Sequence, residues 1–153
     1  MKKTWKNILF WIAVSEAVGL LAGILTADAT KLYAQLAEKP PLSPPGWVFP
    51  VVWSILYALM GVGAGLSASE RRGVALNLMV TQLVVNFFWP LLFFSAGAYG
   101  FAFLWLVLLL ILVAWMTGEF WKISPLAGKL QIPYLLWLLF AAYLNAGVYL
   151  LNP

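Results

Sequence analysis

The chain contains no cysteine and no histidine. Thiol catalysis, disulfides and imidazole–metal sites are therefore excluded, and the usual axial ligand for haem is missing, which leaves only weaker candidates such as Tyr. No metal site and no resident cofactor are expected. Charge is also scarce: only 9% of the residues are Asp, Glu, Lys or Arg, against roughly 25% in an average soluble domain. A chain so poor in charge cannot cover a water-facing surface, and its net charge of +4 is too small and too scattered over loops to argue for nucleic-acid binding.

What is abundant is apolar: 64% of the 153 residues are hydrophobic and 16% are aromatic. Five runs reach the length of about 20 residues that crosses a hydrocarbon core of roughly 30 Å. The sequence predicts an all-α integral membrane bundle, one domain over residues 1–153, with helices at about 7–27, 47–67, 74–95, 99–121 and 130–151. Ala27-Asp28-Ala29 has the look of a signal-peptide cleavage site, but the apolar run before it is too long for one and contains Glu16, so it is read as a retained first span. Pro90 should kink the third span, and Glu119 should pair with Lys122 near the end of the fourth. Glu16 has no evident partner.

Residues 28–46 form the long connection. Pro40, Pro41, Pro44 and Pro45 each lack an N–H and restrict the residue before them, so they cannot lie inside a helix. The connection reads as a stiff lid that delivers Trp47, Trp53 and Tyr57 to the mouth of the second span. Lys2, Lys3, Lys6, Arg71, Arg72, Lys122 and Lys129 fall on one side of the membrane, and only Lys31 and Lys39 on the other. That bias puts a multi-pass protein in the cell (inner) membrane with its amino terminus in the cytoplasm.

Three spans carry mixed polar and aromatic faces at helical spacing. These are Pro50, Trp53, Tyr57 and Gly61 on the second, Gln82, Asn86, Trp89 and Phe93 on the third, and Tyr134, Trp137, Ala141 and Asn145 on the fifth. Each face could be ordinary helix contact, since Asn and Gln join membrane helices and Trp and Tyr anchor them at interfaces. Trp5, Trp11, Trp47 and Trp121 suit that anchoring role. Trp53, Trp89 and Trp137 lie deeper. With Asn86 and Asn145 they outline a cavity for a flat aromatic ligand, with Ala141 and Gly61 leaving room. Gly19-xxx-Gly23 in the first span permits close helix approach.

Three separated motifs also resemble one family. They are Lys39-Pro40 through Pro44-Pro45-Gly46-Trp47-Val48-Phe49-Pro50-Val51-Val52-Trp53 with Leu56-Tyr57-Ala58-Leu59-Met60-Gly61; Gln82-Leu83 with Asn86 and Trp89; and Pro133-Tyr134-Leu135-Leu136-Trp137 with Phe140-Ala141 and Leu144-Asn145. They are similar to the signature of the translocator proteins, whose bacterial members are the tryptophan-rich sensory proteins (TspO/MBR family). The resemblance implies a five-helix bundle, usually a homodimer in lipid, with a cavity closed by the first loop. It implies binding of porphyrins such as protoporphyrin IX, of haem-like tetrapyrroles, and of isoquinoline or benzodiazepine ligands. Trp53 and Trp137 match the tryptophans implicated in light-dependent porphyrin degradation, Ala141 a small pocket residue, and Asn86 and Trp89 positions that face the pocket. Two departures stand out: Leu32-Tyr33 replaces the usual Trp-Tyr ahead of the loop, and no Lys or Arg follows Tyr149, so the sterol motif of animal members is absent.

Three functions follow. The first is a receptor or sensor with Trp53, Tyr57, Asn86, Trp89, Tyr134, Trp137, Ala141 and Asn145 as its ligand-binding residues. The second is a light- and oxygen-dependent porphyrin-degrading enzyme in which Trp53 and Trp137 are catalytic. The third is a transporter of amphipathic ligands, for which the chain offers neither an inverted repeat nor many intramembrane charges.

Overall fold

A computed structural model describes residues 2–70 and 73–153 and is helical throughout its described elements. The helices are α1 (Lys2–Leu36), α2 (Val48–Ser69), α3 (Gly73–Pro90), α4 (Tyr99–Ile123), α5 (Pro125–Lys129) and α6 (Ile132–Leu151), with a π-helical turn at Leu91–Ser95. Five segments are long and apolar enough to cross a membrane, the fifth being α5 and α6 together. Side chains such as Leu20, Ile24, Leu104, Ile111 and Leu139 are exposed around the bundle, as lipid-facing residues should be.

The first helix corrects the sequence reading. The expected end near Ala27 followed the fall in hydropathy, but α1 continues through Leu36. Residues 28–36 contain Ala, Leu, Lys and Gln and no Pro or Gly, so helix propensity persists after the apolar run stops. At 35 residues and about 1.5 Å per residue, α1 is longer than a hydrocarbon core of roughly 30 Å. Its end is capped from beyond: Lys39 Nζ donates to the carbonyls of Ala34 and Ala37 at 3.1 and 3.3 Å, where a cation also suits the helix dipole. The connection thus shortens to residues 37–47.

Two smaller differences have similar causes. The segment read as a loop before the fifth span holds the short helix α5, with Pro125 in its first turn, where a missing N–H costs little. Pro90 does more than kink α3: the backbone widens into the π turn, in which the Ala96 amide donates to the Leu91 carbonyl at 2.9 Å. Gly97, at φ +61°, then reverses the chain into α4.

In lipid, apolar helices gain little from avoiding their surroundings, so close packing and hydrogen bonds must hold them together. The tightest seam is α1 against α2. A Cβ on Gly61 would lie 2.4 Å from Ile12 Cα, and one on Gly65 would lie 2.4 Å from Ile8 Cα. Gly61 therefore makes room for α1, not for a ligand. Three methionines, Met60, Met79 and Met116, are fully buried with Val113 and Phe120 where α2, α3 and α4 meet. The Glu119–Lys122 pair forms at 2.8 Å.

Replacing both Gly61 and Gly65 by Ala should force the α1 backbone outward and cost about 1–3 kcal/mol, outweighing the roughly 0.5–1 kcal/mol of helix propensity gained at each position. The readout is a lower thermal midpoint in detergent. Gly23→Ala, where an added Cβ meets nothing within 4 Å, should not lower it.

Candidate functional site

The site is built on the first half of α2, the middle of α3 and the first half of α6. Trp53 stands at its centre. Its ring lies 5.6 Å from Tyr57, 6.1 Å from Tyr134 and 6.4 Å from Trp137, the last pair being perpendicular. Phe49, one turn before Trp53, meets the other side of Trp137 at 5.8 Å, and Phe140 is 5.6 Å from it. Perpendicular and tilted ring pairs at these distances are favourable quadrupole contacts.

Behind the rings lies a closed polar network. Tyr57 donates its hydroxyl to Asn86 Oδ1 at 3.0 Å, Asn86 Nδ2 donates to the Tyr134 hydroxyl at 2.6 Å, and Tyr134 donates to Gln82 Oε1 at 2.7 Å. Gln82 Nε2 is left with the weak thioether acceptors of Met60 and Met79 at 3.5 and 3.4 Å. All four residues are buried. Each helix contributes what its neighbours lack, and the expected stripes on α2, α3 and α6 do converge here.

They do not converge as a single wall. Trp89 and Asn145 form a second centre: Trp89 Nε1 donates to Asn145 Oδ1 at 3.1 Å, and Asn145 Nδ2 donates to the Tyr99 carbonyl at 2.8 Å. Trp89 stacks on Phe93 at 5.0 Å, and Phe93 touches Tyr33 and Tyr99 at 5.3 and 4.9 Å. Ala141 is buried with the first group, while Asn145 lies one turn further along α6 with the second. Of the expected interface anchors, Trp5, Trp47 and Trp121 are exposed and Trp11 packs against the core. Glu16 makes no side-chain hydrogen bond or ion pair among the described residues.

One polar atom of the aromatic group remains unused. Trp137 Nε1 is buried without a hydrogen-bond partner; among the described residues, the only other such side-chain atom is Gln131 Oε1. Trp137 also lines an open groove of about 380 Å³ between α2 and α6, with Val52, Ile55, Leu56, Pro133, Leu136 and Phe140.

The sequence reading left out four contributors. Gln82 was seen on its stripe, yet its place in the network was not. Gln131, whose Nε2 donates to the Leu59 carbonyl at 3.1 Å, was legible only as a polar residue at the start of a span. Phe49 and Gly19 carried no polar signal; a Cβ on Gly19 would collide with the Tyr57 ring, so Gly19 is what lets that ring approach α1.

The model of the TspO/MBR family matches residues 11–151. The chain belongs to the TspO/MBR family. It is 33% identical over 164 residues to the tryptophan-rich protein TspO of Chlorobaculum tepidum, with 100% of both chains covered. The translocator protein of Homo sapiens is 39% identical over 144 residues, covering 89% of this chain and 85% of its own. The tryptophan-rich sensory protein of Cereibacter sphaeroides is 33% identical over 153 residues, covering 99% and 95%. As a TspO/MBR member with five apolar spans, the chain is a multi-pass membrane protein.

Tyr134→Phe should be the most damaging conservative change in the network. It strands both Asn86 Nδ2 and Gln82 Oε1 in a buried setting, at about 1–3 kcal/mol for an unsatisfied group. Tyr57→Phe strands only Asn86 Oδ1, so thermal unfolding in detergent should rank Tyr134→Phe below Tyr57→Phe and both below the unmodified chain.

Proposed function

We propose that this protein is a membrane receptor or sensor for flat aromatic ligands, with porphyrins such as protoporphyrin IX and haem-like tetrapyrroles as the leading class and isoquinoline or benzodiazepine compounds as surrogates. The observation that carries the reading is Trp137. Its ring stands perpendicular to Trp53 at 6.4 Å, its indole N–H is unpaired, and it borders an apolar groove. Two ring faces and one free donor suit a flat ligand that bears an acceptor such as a carboxylate. Tyr57, Asn86 and Tyr134 hold the rings from behind. Trp89, Asn145 and Ala141 complete the ligand-binding set by fixing α3 and α6 around it. The same reading takes the protein as a homodimer, as the family resemblance implies, in the cell membrane; the Lys and Arg bias supports an amino terminus in the cytoplasm.

The adjacency of Trp53 and Trp137 also favours a second reading, in which a bound porphyrin is degraded under light and oxygen through these electron-rich indoles. No conventional acid–base or nucleophilic set accompanies them.

The test is a titration of the purified protein with protoporphyrin IX in the dark, read by Trp emission. Saturable quenching at micromolar concentration is expected. Trp137→Phe should weaken binding on the order of tenfold, the loss of one hydrogen bond to a charged acceptor, whereas Trp53→Phe keeps an aromatic face and should leave affinity within a few-fold. No saturable binding of any porphyrin would overturn the receptor reading. Illumination separates the second: bleaching faster than that of free porphyrin in detergent, and lost in Trp53→Phe and Trp137→Phe, would establish degradation. Equal bleaching would eliminate it.

A further inference from the structure

The end of the bundle at which α1 begins carries the chain's surplus of positive charge. In the sequence Lys2, Lys3, Lys6, Arg71, Arg72, Lys122 and Lys129 belong to it, against Glu70 and Glu119, whereas the opposite end balances Lys31 and Lys39 with Asp28 and Glu38. On one flank α1 and α2 are tied together: Asn7 Nδ2 donates to the Ser69 hydroxyl at 3.4 Å, and that hydroxyl lies 3.2 Å from the Thr4 hydroxyl. On the other flank α5 folds back against the end of α4. A Cβ on Gly128 would collide with Trp121, so Lys122 and Lys129 come to border a single contact. Ala127 and Gly128 are buried, while Pro125, Leu126 and Lys129 face outward. Lys3, Lys6 and Lys122 are exposed as well, and so are Trp5, Phe10 and Trp121.

We propose that this end of the bundle is a binding surface for anionic phospholipids, whose headgroup phosphates are held by Lys3, Lys6, Lys122 and Lys129. Charge complementarity sets the sign of the partner. Among the described residues the only ion pair is Glu119–Lys122, and the first turn of α1 contains no acidic residue. Lys3, Lys6 and Lys129 therefore have no described carboxylate to answer them. An exposed pair such as Glu119–Lys122 is worth little, and an ammonium has three donors, so Lys122 can reach a phosphate as well. The apolar neighbours make the anion part of a lipid. Exposed tryptophans such as Trp5 and Trp121 belong at headgroup level, and a lysine beside them runs its stem along apolar surface to end among phosphates. A soluble anion would leave Trp121 and Leu126 uncovered in water; a phospholipid covers them with its own acyl chains while its phosphate meets Lys122 and Lys129. The surface does not depend on the reading of Trp53 and Trp137 as a ligand site.

The test uses the full chain in mixed vesicles of phosphatidylglycerol and phosphatidylcholine, with bromine on the acyl chains of one lipid or of the other. Bromine quenches Trp emission on contact, so comparing the two labelling schemes shows which lipid gathers at the protein. At low salt brominated phosphatidylglycerol should quench more strongly, with a preference on the order of tenfold over phosphatidylcholine. The preference should shrink in high salt, because a Debye length of about 3 Å at 1 M screens exposed charges. Lys6→Gln and Lys129→Gln should each lower it by about twofold. Lys31→Gln, at the balanced end, should leave it unchanged. Equal quenching by the two brominated lipids in the unmodified protein would overturn the proposal. So would an unchanged preference in both lysine variants, or a loss in Lys31→Gln as large as that in Lys129→Gln. Inorganic phosphate separates the lipid from a soluble anion: at equal ionic strength it should weaken the preference no more than chloride does. A greater loss in phosphate would give the lysines to a soluble ligand and sink the lipid surface. No porphyrin is present, so the outcome is decided apart from the receptor reading.

Discussion

The bundle depends on the buried hydroxyl of Tyr134. It accepts from Asn86 and donates to Gln82, and Asn86 in turn accepts from Tyr57, so one phenol ties α6 to α3 and, through it, to α2. In water such a network would add to a hydrophobic core. In lipid the core contributes much less, because acyl chains solvate Leu and Val as well as neighbouring helices do. Each unpaired polar group, by contrast, costs free energy that cannot be recovered from solvent. The four polar side chains therefore restrict which helix rotations are tolerable. Turning α3 by one residue would point Gln82 and Asn86 at lipid together.

That constraint also explains the aromatic seam. With Tyr57 and Tyr134 held by their hydroxyls, their rings form a fixed floor under Trp53, and Gly19 allows α1 to close over the back of Tyr57. Trp53 and Trp137 then occupy the space between α2 and α6, where rings and not backbone bridge the two helices. The hydroxyl and amide groups of the network are spent largely on one another, with Gln82 Nε2 held only by the thioethers of Met60 and Met79. The unpaired Trp137 indole stands outside it, at the groove.

The sequence reading succeeded where one signal implied one structure. Apolar runs of span length had to be helices, and the spacing of Trp53 and Tyr57, of Gln82 and Asn86, and of Tyr134 and Trp137 put each pair on one face. It failed where two signals that usually coincide came apart. Hydropathy ends near Ala27, but helix propensity continues to Leu36. Trp89 and Asn145 share stripes with Asn86 and Trp137, yet one helical turn along a span of about 5.4 Å suffices to place them in a different cluster, and periodicity says nothing of depth. Gly61 was read as room for a ligand because a small residue shows only that something approaches closely. The backbone of Ile12 is what approaches.

The length of α1 and the path of residues 37–47 are one problem in geometry. The seam that pairs Ile8 with Gly65 and Ile12 with Gly61 fixes the register of α1 against α2, so every residue added to α1 beyond that seam rises above the start of α2. The chain must then come back down to Val48. Four prolines between Pro40 and Pro45 prevent it from doing so as a helix, and α6, which faces α2 across the Trp53–Trp137 pair, offers the surface along which it returns. A shorter α1 would leave no descent to make, and the Glu38 backbone would not bond to the Asn152 side chain nor Pro40 pack against Gly147. The extension of α1 past the apolar run, invisible to hydropathy, is thus what places an exposed, weakly packed segment directly upstream of Phe49 and Trp53.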